Sequence, residues 1–391
     1  MKRYTLGSSS IGDLEKRYVA KVLDDNFISP GPVVKQVEDE TARLHGMKHG
    51  LALNSGQSAL HLAIQAIVET RLVKIEGRKP RVAVPACTYI STLAAAILAG
   101  CEIVLVDVEV PSGNMDPESL AAVLGNALMA GNSIDIVIPV HLYGKACDPR
   151  VLEVCKSFDT WVVEDACEST FAPDIGKGHI LTTSFFSNHL ISAGGGGVIM
   201  TNDAALDLYC WKLINHGRSA RFGNDDIHQI ADKFHFDTWG HSMKWSDVPA
   251  AIAKAQIERR HELFSTRVRN AGILHDQLVH MQDEELMLPD PKGHTFMVYP
   301  IVISDRLDVL NIIEHLNDNG IEIRRMMPVT NQPVVQQYFG STLASEFPNA
   351  DRLNRQGFYV GCHPELSAED VADMANIIEV AVTREANRVN S

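Results

Sequence analysis

The sequence lacks any long uncharged apolar run, and its first residues lead into a polar stretch without the apolar core of a signal peptide. Neither a membrane span nor a secretory signal is therefore expected. Its seven cysteines are an odd number and form no C-x-x-C pair. Scattered cysteines of this kind are typical of reduced thiols, so we expect a cytoplasmic protein.

Basic residues are also fewer than acidic ones. The chain has 35 Lys and Arg against 49 Asp and Glu, which gives a formal net charge of −14. A nucleic acid or an anionic membrane requires a clustered basic surface, so neither is expected as a partner. A small anionic ligand is still compatible with this charge, because a few local hydrogen-bond donors can hold a phosphate in an acidic protein.

Short apolar runs alternate with amphipathic stretches of helical length over the first half of the chain. The predicted strands are 50–53, 81–84, 103–106, 135–140, 161–163, 182–186 and 197–201, and the predicted helices include 58–70 and 148–157. Strands that alternate with helices of this length predict an α/β fold whose mostly parallel sheet is covered on both faces.

The pattern changes after a long helical stretch over 247–271. Strands are predicted at 295–303 and 321–324, and helices are predicted at 307–319 and 367–388. These elements predict a smaller α+β domain that packs on the first one. With 391 residues, the chain is long for one ordinary domain. We place a large domain at 1–258 and a small C-terminal domain at 259–391.

The segment Ser55-Gly56-Gln57 follows a predicted strand and opens a helix. A small turn at the positive end of a helix allows backbone N–H groups and a hydroxyl to close on a phosphate. The alternative is that Ser55 only caps the helix.

Two further candidates follow predicted strands. Asp165 lies at the end of the strand that begins with the apolar run 161–163, and the carboxyl ends of strands are where open α/β sheets bind ligands. The alternative is that Asp165 caps the next helix. Tyr89 follows the strand at 81–84 and could stack on a flat ligand, although an aromatic residue there is more often part of the core.

The segment 182–203 combines three features. Hydroxyl residues that include Ser184 come first, then the titratable His189, and then a run of four glycines at 194–197 before the next strand. This order suggests a site where side chains reach both a phosphate and a reacting carbon. A lone histidine is more often structural, and that alternative stays open for His189.

In this order, these segments resemble the DegT/DnrJ/EryC1/StrS family of vitamin-B6-dependent sugar enzymes, which have the fold-type-I aminotransferase architecture. The resemblance extends from Ser8-Ser9-Ser10 to the segment 357–363. It implies that pyridoxal 5′-phosphate is the cofactor, with Asp165 at its pyridine nitrogen and Tyr89 on its ring. The other implied cofactor-binding residues are Glu168 and, at the phosphate, Ser184, Ser55, Gly56 and Gln57.

One departure from the family is large, since most members have lysine where this chain has His189. Lysine holds the cofactor covalently between turnovers, whereas imidazole can only act as a base. A branch of the family with histidine here removes the C3 hydroxyl of sugars, and 164–169 and 184–189 resemble that branch. The implied enzyme is a 3-dehydratase of a nucleotide-linked 4-keto-6-deoxy sugar. L-glutamate converts the cofactor to pyridoxamine 5′-phosphate, and 2-oxoglutarate, water and ammonia are released.

Alternatives to this interpretation stay open. A related type of dehydratase carries an iron–sulfur cluster with a C-x-C pair, and no two cysteines here are separated by one residue, so no cluster is expected. The chain could be a lysine-less enzyme acting on another keto or amine substrate, or a sugar aminotransferase. A sensor that only binds the ligands ranks last. The family further implies a homodimer with a shared active site.

Other positions match the family less closely. Ser242 and Lys244 occupy positions where the family has asparagine and arginine that reach the partner's cofactor phosphate, and lysine lacks the bidentate fork of arginine. Gly195 occupies a position that is often glutamate.

The substrate-binding candidates also come from the resemblance. Arg324 fits a position near the sugar nucleotide, where a cation would face a diphosphate. His216 matches a residue near the active site. Either Arg218 or Arg221 could bind the carboxylate of glutamate.

Overall fold

The computed structural model describes residues 3–73, 75, 77–219, 234–340 and 343–391. Its larger sheet has seven strands. They are β1 (His49–Leu53), β2 (Arg81–Pro85), β3 (Glu102–Val106), β4 (Ile136–Val137), β5 (Trp161–Asp165), β6 (Ile180–Ser184) and β7 (Gly197–Thr201). Their order across the sheet is β1-β7-β6-β5-β4-β2-β3.

The sheet is mostly parallel, as predicted. Strands β2 to β6 pair in parallel, and β7 joins β6 and β1 in antiparallel pairs. Strand β4 is shorter than the predicted 135–140 because Pro139 has no N–H for the ladder. Strand β6 ends before the predicted Phe186, since the Phe186 N–H turns back to the Ser184 hydroxyl at 3.3 Å.

Both faces of this sheet are buried. Along β7, Val198 and Met200 pack in one apolar cluster, while Ile199 between them packs in another on the opposite face. Consecutive side chains of a strand point to opposite faces, so a strand that is apolar at every position requires cover on both sides. The prediction of a sheet covered on both faces is therefore confirmed.

The helices that cover the sheets begin and end as follows: α1 (Asp13–Asp24), α2 (Pro32–Leu44), α3 (Gly56–Thr70), α4 (Ile90–Leu98), α5 (Pro117–Met129), α6 (Arg150–Ser157), α7 (Ala204–Ile214), α8 (Asp247–Glu258), α9 (Arg260–Leu278), α10 (Val309–Asp318), α11 (Pro333–Phe339), α12 (Pro348–Gln356) and α13 (Ala368–Asn390). The helix predicted over 247–271 is two helices, because the backbone leaves the helical conformation at Arg259 (ψ 3°). There the Arg259 side chain hydrogen-bonds the buried Glu15 at 2.9 Å. Within the described part of the chain, no helix has the length and apolarity that a membrane span requires.

The C-terminal part forms a second, four-stranded antiparallel sheet. Its strands are β8 (Leu286–Met287), β9 (Tyr299–Ile303), β10 (Ile323–Arg325) and β11 (Gly357–Val360). Strands β8 and β11 were not predicted from the sequence. Helices α9 and α13 pack on this sheet around a separate apolar core. Tyr4 joins that core and pairs with Ile321. The domain boundary at 258/259 stays a prediction.

Candidate active site

A cavity of about 560 Å³ lies where β5 and β6 end and where α3 and α4 begin. It collects most of the residues that the sequence singled out. Those that line it are Ser55, Gly56, Gln57, Tyr89, Asp165, Glu168, Ser184, His189, Gly195 and Arg324. A larger cavity of about 1070 Å³ contains none of them, and its Lys145 is already paired with Asp290 at 3.0 Å. The smaller cavity is therefore the candidate site.

One end of the cavity is a cradle formed at the start of α3. Ser55 is the N-cap, and its Oγ accepts the Ser58 N–H at 3.1 Å, so the capping alternative holds while Ser55 also lines the cavity. A Cβ on Gly56 would lie 2.7 Å from Ser184 Cβ and 2.8 Å from Cys167 Sγ, so this close approach requires glycine. Hydroxyls beside the positive end of a helix suit a phosphate.

The carboxylate of Asp165 lies at the floor of the cavity and is 4% exposed. Its Oδ2 accepts the Thr92 hydroxyl at 3.0 Å, and its Oδ1 accepts the Cys167 N–H at 3.2 Å. No helix begins between β5 and β6, where all residues are described, so Asp165 does not cap one. A buried carboxylate in this position suits a protonated ring nitrogen.

Glu168 lies beside Asp165 in the same cavity. It accepts the backbone N–H of Tyr143 at 2.9 Å, and Tyr143 has a left-handed φ of 57°. Burial raises the pKa of Glu168 to about 7, although the Tyr143 N–H opposes that rise. Near neutral pH this carboxyl group can therefore hold a proton and donate a hydrogen bond to an oxygen of a ligand.

His189 lies in the segment between β6 and β7 and is half-buried. Its backbone N–H donates to the Phe186 carbonyl at 3.0 Å, and the two rings meet edge to face, with centroids 5.9 Å apart. The Nδ1 atom is buried and has no hydrogen-bond partner among the described residues. Burial lowers the pKa of His189 to about 4, so the imidazole is uncharged at neutral pH and can accept a proton.

The residues of the cavity fit pyridoxal phosphate. Hydroxyls and a helix N-terminus suit its phosphate, the buried Asp165 suits its ring nitrogen, and the 61% exposed ring of Tyr89 stands at the mouth. Of the described residues that line the cavity, none is lysine. No amine among them can therefore hold the cofactor covalently.

Several predicted residues lie away from this cavity. Ser242 and Lys244 are exposed, with their backbones paired to Asn215 and Leu53. His216 is exposed as well, and Arg218 pairs through its backbone with Phe236. None of these four lines the cavity of this chain. Arg221 lies outside the described residues.

Arg324 lines the mouth of the cavity on β10. Its guanidinium forms an ion pair with Glu322 at 3.3 Å, and Glu322 also lines the cavity. The arginine side chain is mostly exposed, so it is accessible to an anionic ligand that competes with Glu322.

Sequence reasoning missed other residues of the cavity. Leu6 and Gly7 reach it from the N-terminal segment, Met297 and Val298 from the residues just before β9, and Tyr359 from β11. These residues carry no local signal, because only long-range packing brings them there. Among the described residues, no group of three or more His, Cys, Asp or Glu side chains could hold a metal ion.

A model of the DegT/DnrJ/EryC1/StrS aminotransferase family matches residues 9–379. The chain belongs to this family. The match confirms the resemblance and the aminotransferase-like fold, and it makes the chain an enzyme of the pyridoxal-phosphate-dependent sugar aminotransferase and dehydratase group.

Relatives in this family include both kinds of enzyme. GDP-perosamine synthase of Caulobacter vibrioides is 28% identical, over 95% of this chain and 96% of its own length. GDP-4-keto-6-deoxy-D-mannose 3-dehydratase of Escherichia coli O55:H7 is 26% identical, over 93% and 96%. The solved E. coli GDP-4-keto-6-deoxy-D-mannose-3-dehydratase with bound hydrated PLP superposes with a TM-score of 0.86 at 24% identity, over 97% of this chain and 100% of that one.

Proposed function

We propose that this enzyme is a 3-dehydratase of a nucleotide-linked 4-keto-6-deoxy sugar, with pyridoxal or pyridoxamine phosphate as its cofactor. L-glutamate is the amino donor, and the reaction releases 2-oxoglutarate, water and ammonia. The observation that carries the proposal is His189 in a cavity whose described lining contains no lysine. The 26% identity to the 3-dehydratase of Escherichia coli O55:H7 supports it.

The cavity residues have separate proposed roles toward the cofactor. Asp165 keeps the pyridine nitrogen of the cofactor protonated, and Tyr89 stacks on its ring. Glu168 binds the cofactor close to Asp165. The phosphate is held by Ser55, Gly56, Gln57 and Ser184. When bound, the cofactor supplies an electron sink for the negative charge that develops at the neighbouring carbon.

His189 is the proposed base. With the amine of the cofactor joined to the C4 ketone of the sugar, the uncharged imidazole would take the proton that is released from the cofactor's methylene carbon, and the electrons of that bond would expel the C3 hydroxyl, which leaves as water. A lysine would favour return of the amine to the sugar, as in transamination. Histidine needs only to take the proton and hold it, and the nearby Asp165 favours the imidazolium while it does so.

In this proposal, the residues that bind the substrates and the cofactor come from both chains of a dimer. Arg324 at the mouth binds the diphosphate of the sugar nucleotide. We propose a homodimer in which Ser242 and Lys244 reach the partner's cofactor phosphate, since both are exposed and lie off the cavity of their own chain. His216 and either Arg218 or Arg221 contribute to binding the substrates. The proposed location of the enzyme is the cytoplasm.

A second candidate function is a sugar aminotransferase. The higher identity to GDP-perosamine synthase than to the 3-dehydratase favours it, at 28% against 26%. The absence of lysine from the described cavity lining speaks against it. A lysine-less enzyme that acts on a different keto or amine substrate is compatible with the same cavity.

Borohydride reduction of the protein loaded with pyridoxal phosphate, followed by intact mass, separates these functions. We expect no mass increase for the wild type and one attached reduced cofactor for His189→Lys. A wild-type protein that gains a cofactor mass, mapped by peptide analysis to a lysine in the active site, would overturn the proposal.

The reaction itself is tested with L-glutamate and a nucleotide-linked 4-keto-6-deoxy sugar. A 3-dehydratase produces 2-oxoglutarate and free ammonia and leaves a sugar that has lost its C3 hydroxyl. An aminotransferase instead produces 2-oxoglutarate and a sugar that keeps the nitrogen. Mass spectrometry of the sugar product distinguishes the two outcomes.

A further inference from the structure

Arg267 on α9 is a buried cation that has no carboxylate partner in the described part of the chain. Its side chain is only 2% exposed. One guanidinium nitrogen donates to the Met297 carbonyl at 2.8 Å, and its Nε has no hydrogen-bond partner among the described residues. Arginine stays charged in proteins, and a buried charge without a counterion is costly. The burial of this unpaired charge at such a cost in free energy suggests that Arg267 has a functional role.

Arg267 and His189 both line one small space behind the active site. Ser10 lines it too, and the three atoms Ser10 Oγ, His189 Nδ1 and Arg267 Nε are all buried without a partner among the described residues. The space is too small to admit a water molecule. Because the Arg267 side chain and His189 Nδ1 are both buried, the charge of Arg267 acts on the imidazole through a medium of lower dielectric constant than bulk water.

The other charged groups around His189 lie mainly on the cavity side. Asp165 favours the imidazolium, whereas Arg267 disfavours it. The charge of Arg324 is already paired with Glu322. The remaining titratable groups that line the cavity are Glu168, Cys167, Tyr89 and Tyr359, and Arg267 itself also interacts with Cys362 and His363. Arg267 is therefore the described cation that opposes the carboxylates from behind the ring.

We propose that Arg267 is a positioning residue that keeps His189 uncharged against the pull of the neighbouring carboxylates and of a bound phosphate. The inference rests on the proposed role of His189 as the base. An imidazole that these anions trapped as imidazolium could not accept a proton. Together with burial, which is the larger cause, the buried guanidinium disfavours that state and helps His189 to release its proton after each turnover.

The test is a titration of His189 in the cofactor-free protein, followed by NMR of carbon-13-labelled histidine between about pH 4.5 and 8. His189→Asn identifies the signal. In the wild type, we expect the signal of a neutral imidazole over most of this range. In Arg267→Gln, we expect the midpoint to rise by about one pH unit, because an opposing charge is lost. Arg267→Lys keeps the charge and should follow the wild type.

The matched control is Arg269→Gln, since Arg269 is an exposed arginine on the same helix and should leave the His189 midpoint unchanged. An unchanged midpoint in a folded Arg267→Gln would overturn the proposal. A wild-type midpoint near the ordinary histidine value of about 6.5 would also overturn it, because no group would then be keeping His189 uncharged. Since no turnover is measured, failure of the dehydratase assay is distinguishable from failure of this inference.

Discussion

The Thr92 hydroxyl donates a 3.0 Å hydrogen bond to Asp165 Oδ2 at the floor of the cavity, where both side chains are buried. The Thr88 hydroxyl lies 3.0 Å from that of Thr92, so two threonines extend a short hydroxyl chain to the carboxylate. The Cys167 N–H binds the other carboxylate oxygen. Asp165 is thus fixed in orientation before any ligand arrives.

Thr92→Val tests the importance of this orientation. Valine has nearly the same shape but no hydroxyl, so the variant removes one hydrogen bond, which is worth about 1 kcal/mol net. We expect the Kd for pyridoxal phosphate, measured by absorbance titration, to rise about fivefold. Thr92→Ser keeps the hydroxyl and is the control. Equal affinities for all three proteins would contradict an orienting role for Thr92.

The strands that build the site were predictable because their signal is local. The apolar run that ends at Asp165 is buried on both faces, and its last residue falls at the sheet edge where the cavity opens. Ser55 and Gly56 follow β1 after one intervening residue, Asn54, so the start of α3 was also recognisable. Strand β11, by contrast, begins at Gly357 directly after α12 ends at Gln356. No separate turn marks the change from helix to strand, so the short strand had little local signal.

The parts of the site that were missed depend on tertiary contacts. Leu6 and Gly7 reach the cavity because Tyr4 pairs with Ile321 in the second part of the chain. Arg267 had one usable signal, since it lies four residues after the buried Leu263 and four before the buried Ala271, on the apolar side of α9. A charged residue in an apolar stripe indicates a special role but does not identify its neighbour.

Gly56→Ala tests the cradle at the start of α3. Its added Cβ would lie 2.7 Å from Ser184 Cβ and 2.8 Å from Cys167 Sγ, so the phosphate cradle has to widen. We expect a loss of about 1–3 kcal/mol in the free energy of unfolding and weaker cofactor binding.

The matched control is Gly125→Ala inside α5, where an added Cβ meets nothing within 4 Å. It should stabilise the protein by about 0.5–1 kcal/mol without changing cofactor affinity, because alanine favours helix more than glycine does. Urea unfolding and absorbance titration measure both quantities. If Gly56→Ala behaved like Gly125→Ala, the cradle would not require glycine.

The half-buried carboxyl group of Glu168 predicts a dependence of stability on pH. Burial raises the pKa of Glu168 from 4.5 to about 7, so the folded protein holds a proton that the unfolded chain releases. This contribution is fully present below pH 4.5 and is lost as the pH rises to about 7. Glu168→Gln keeps a neutral group of similar shape that cannot ionise.

The free energy of unfolding of cofactor-free Glu168→Gln should therefore exceed that of the wild type by up to about 3 kcal/mol at pH 8 and by much less at pH 5. Urea unfolding at both pH values measures this difference, and Glu346→Gln, a change at an exposed position, is the control for the loss of one charge. A difference between wild type and Glu168→Gln that is the same at both pH values would mean that Glu168 is ionised in the folded protein throughout. It would then be unable to donate a hydrogen bond to a ligand beside Asp165, and its proposed role would be limited to accepting one.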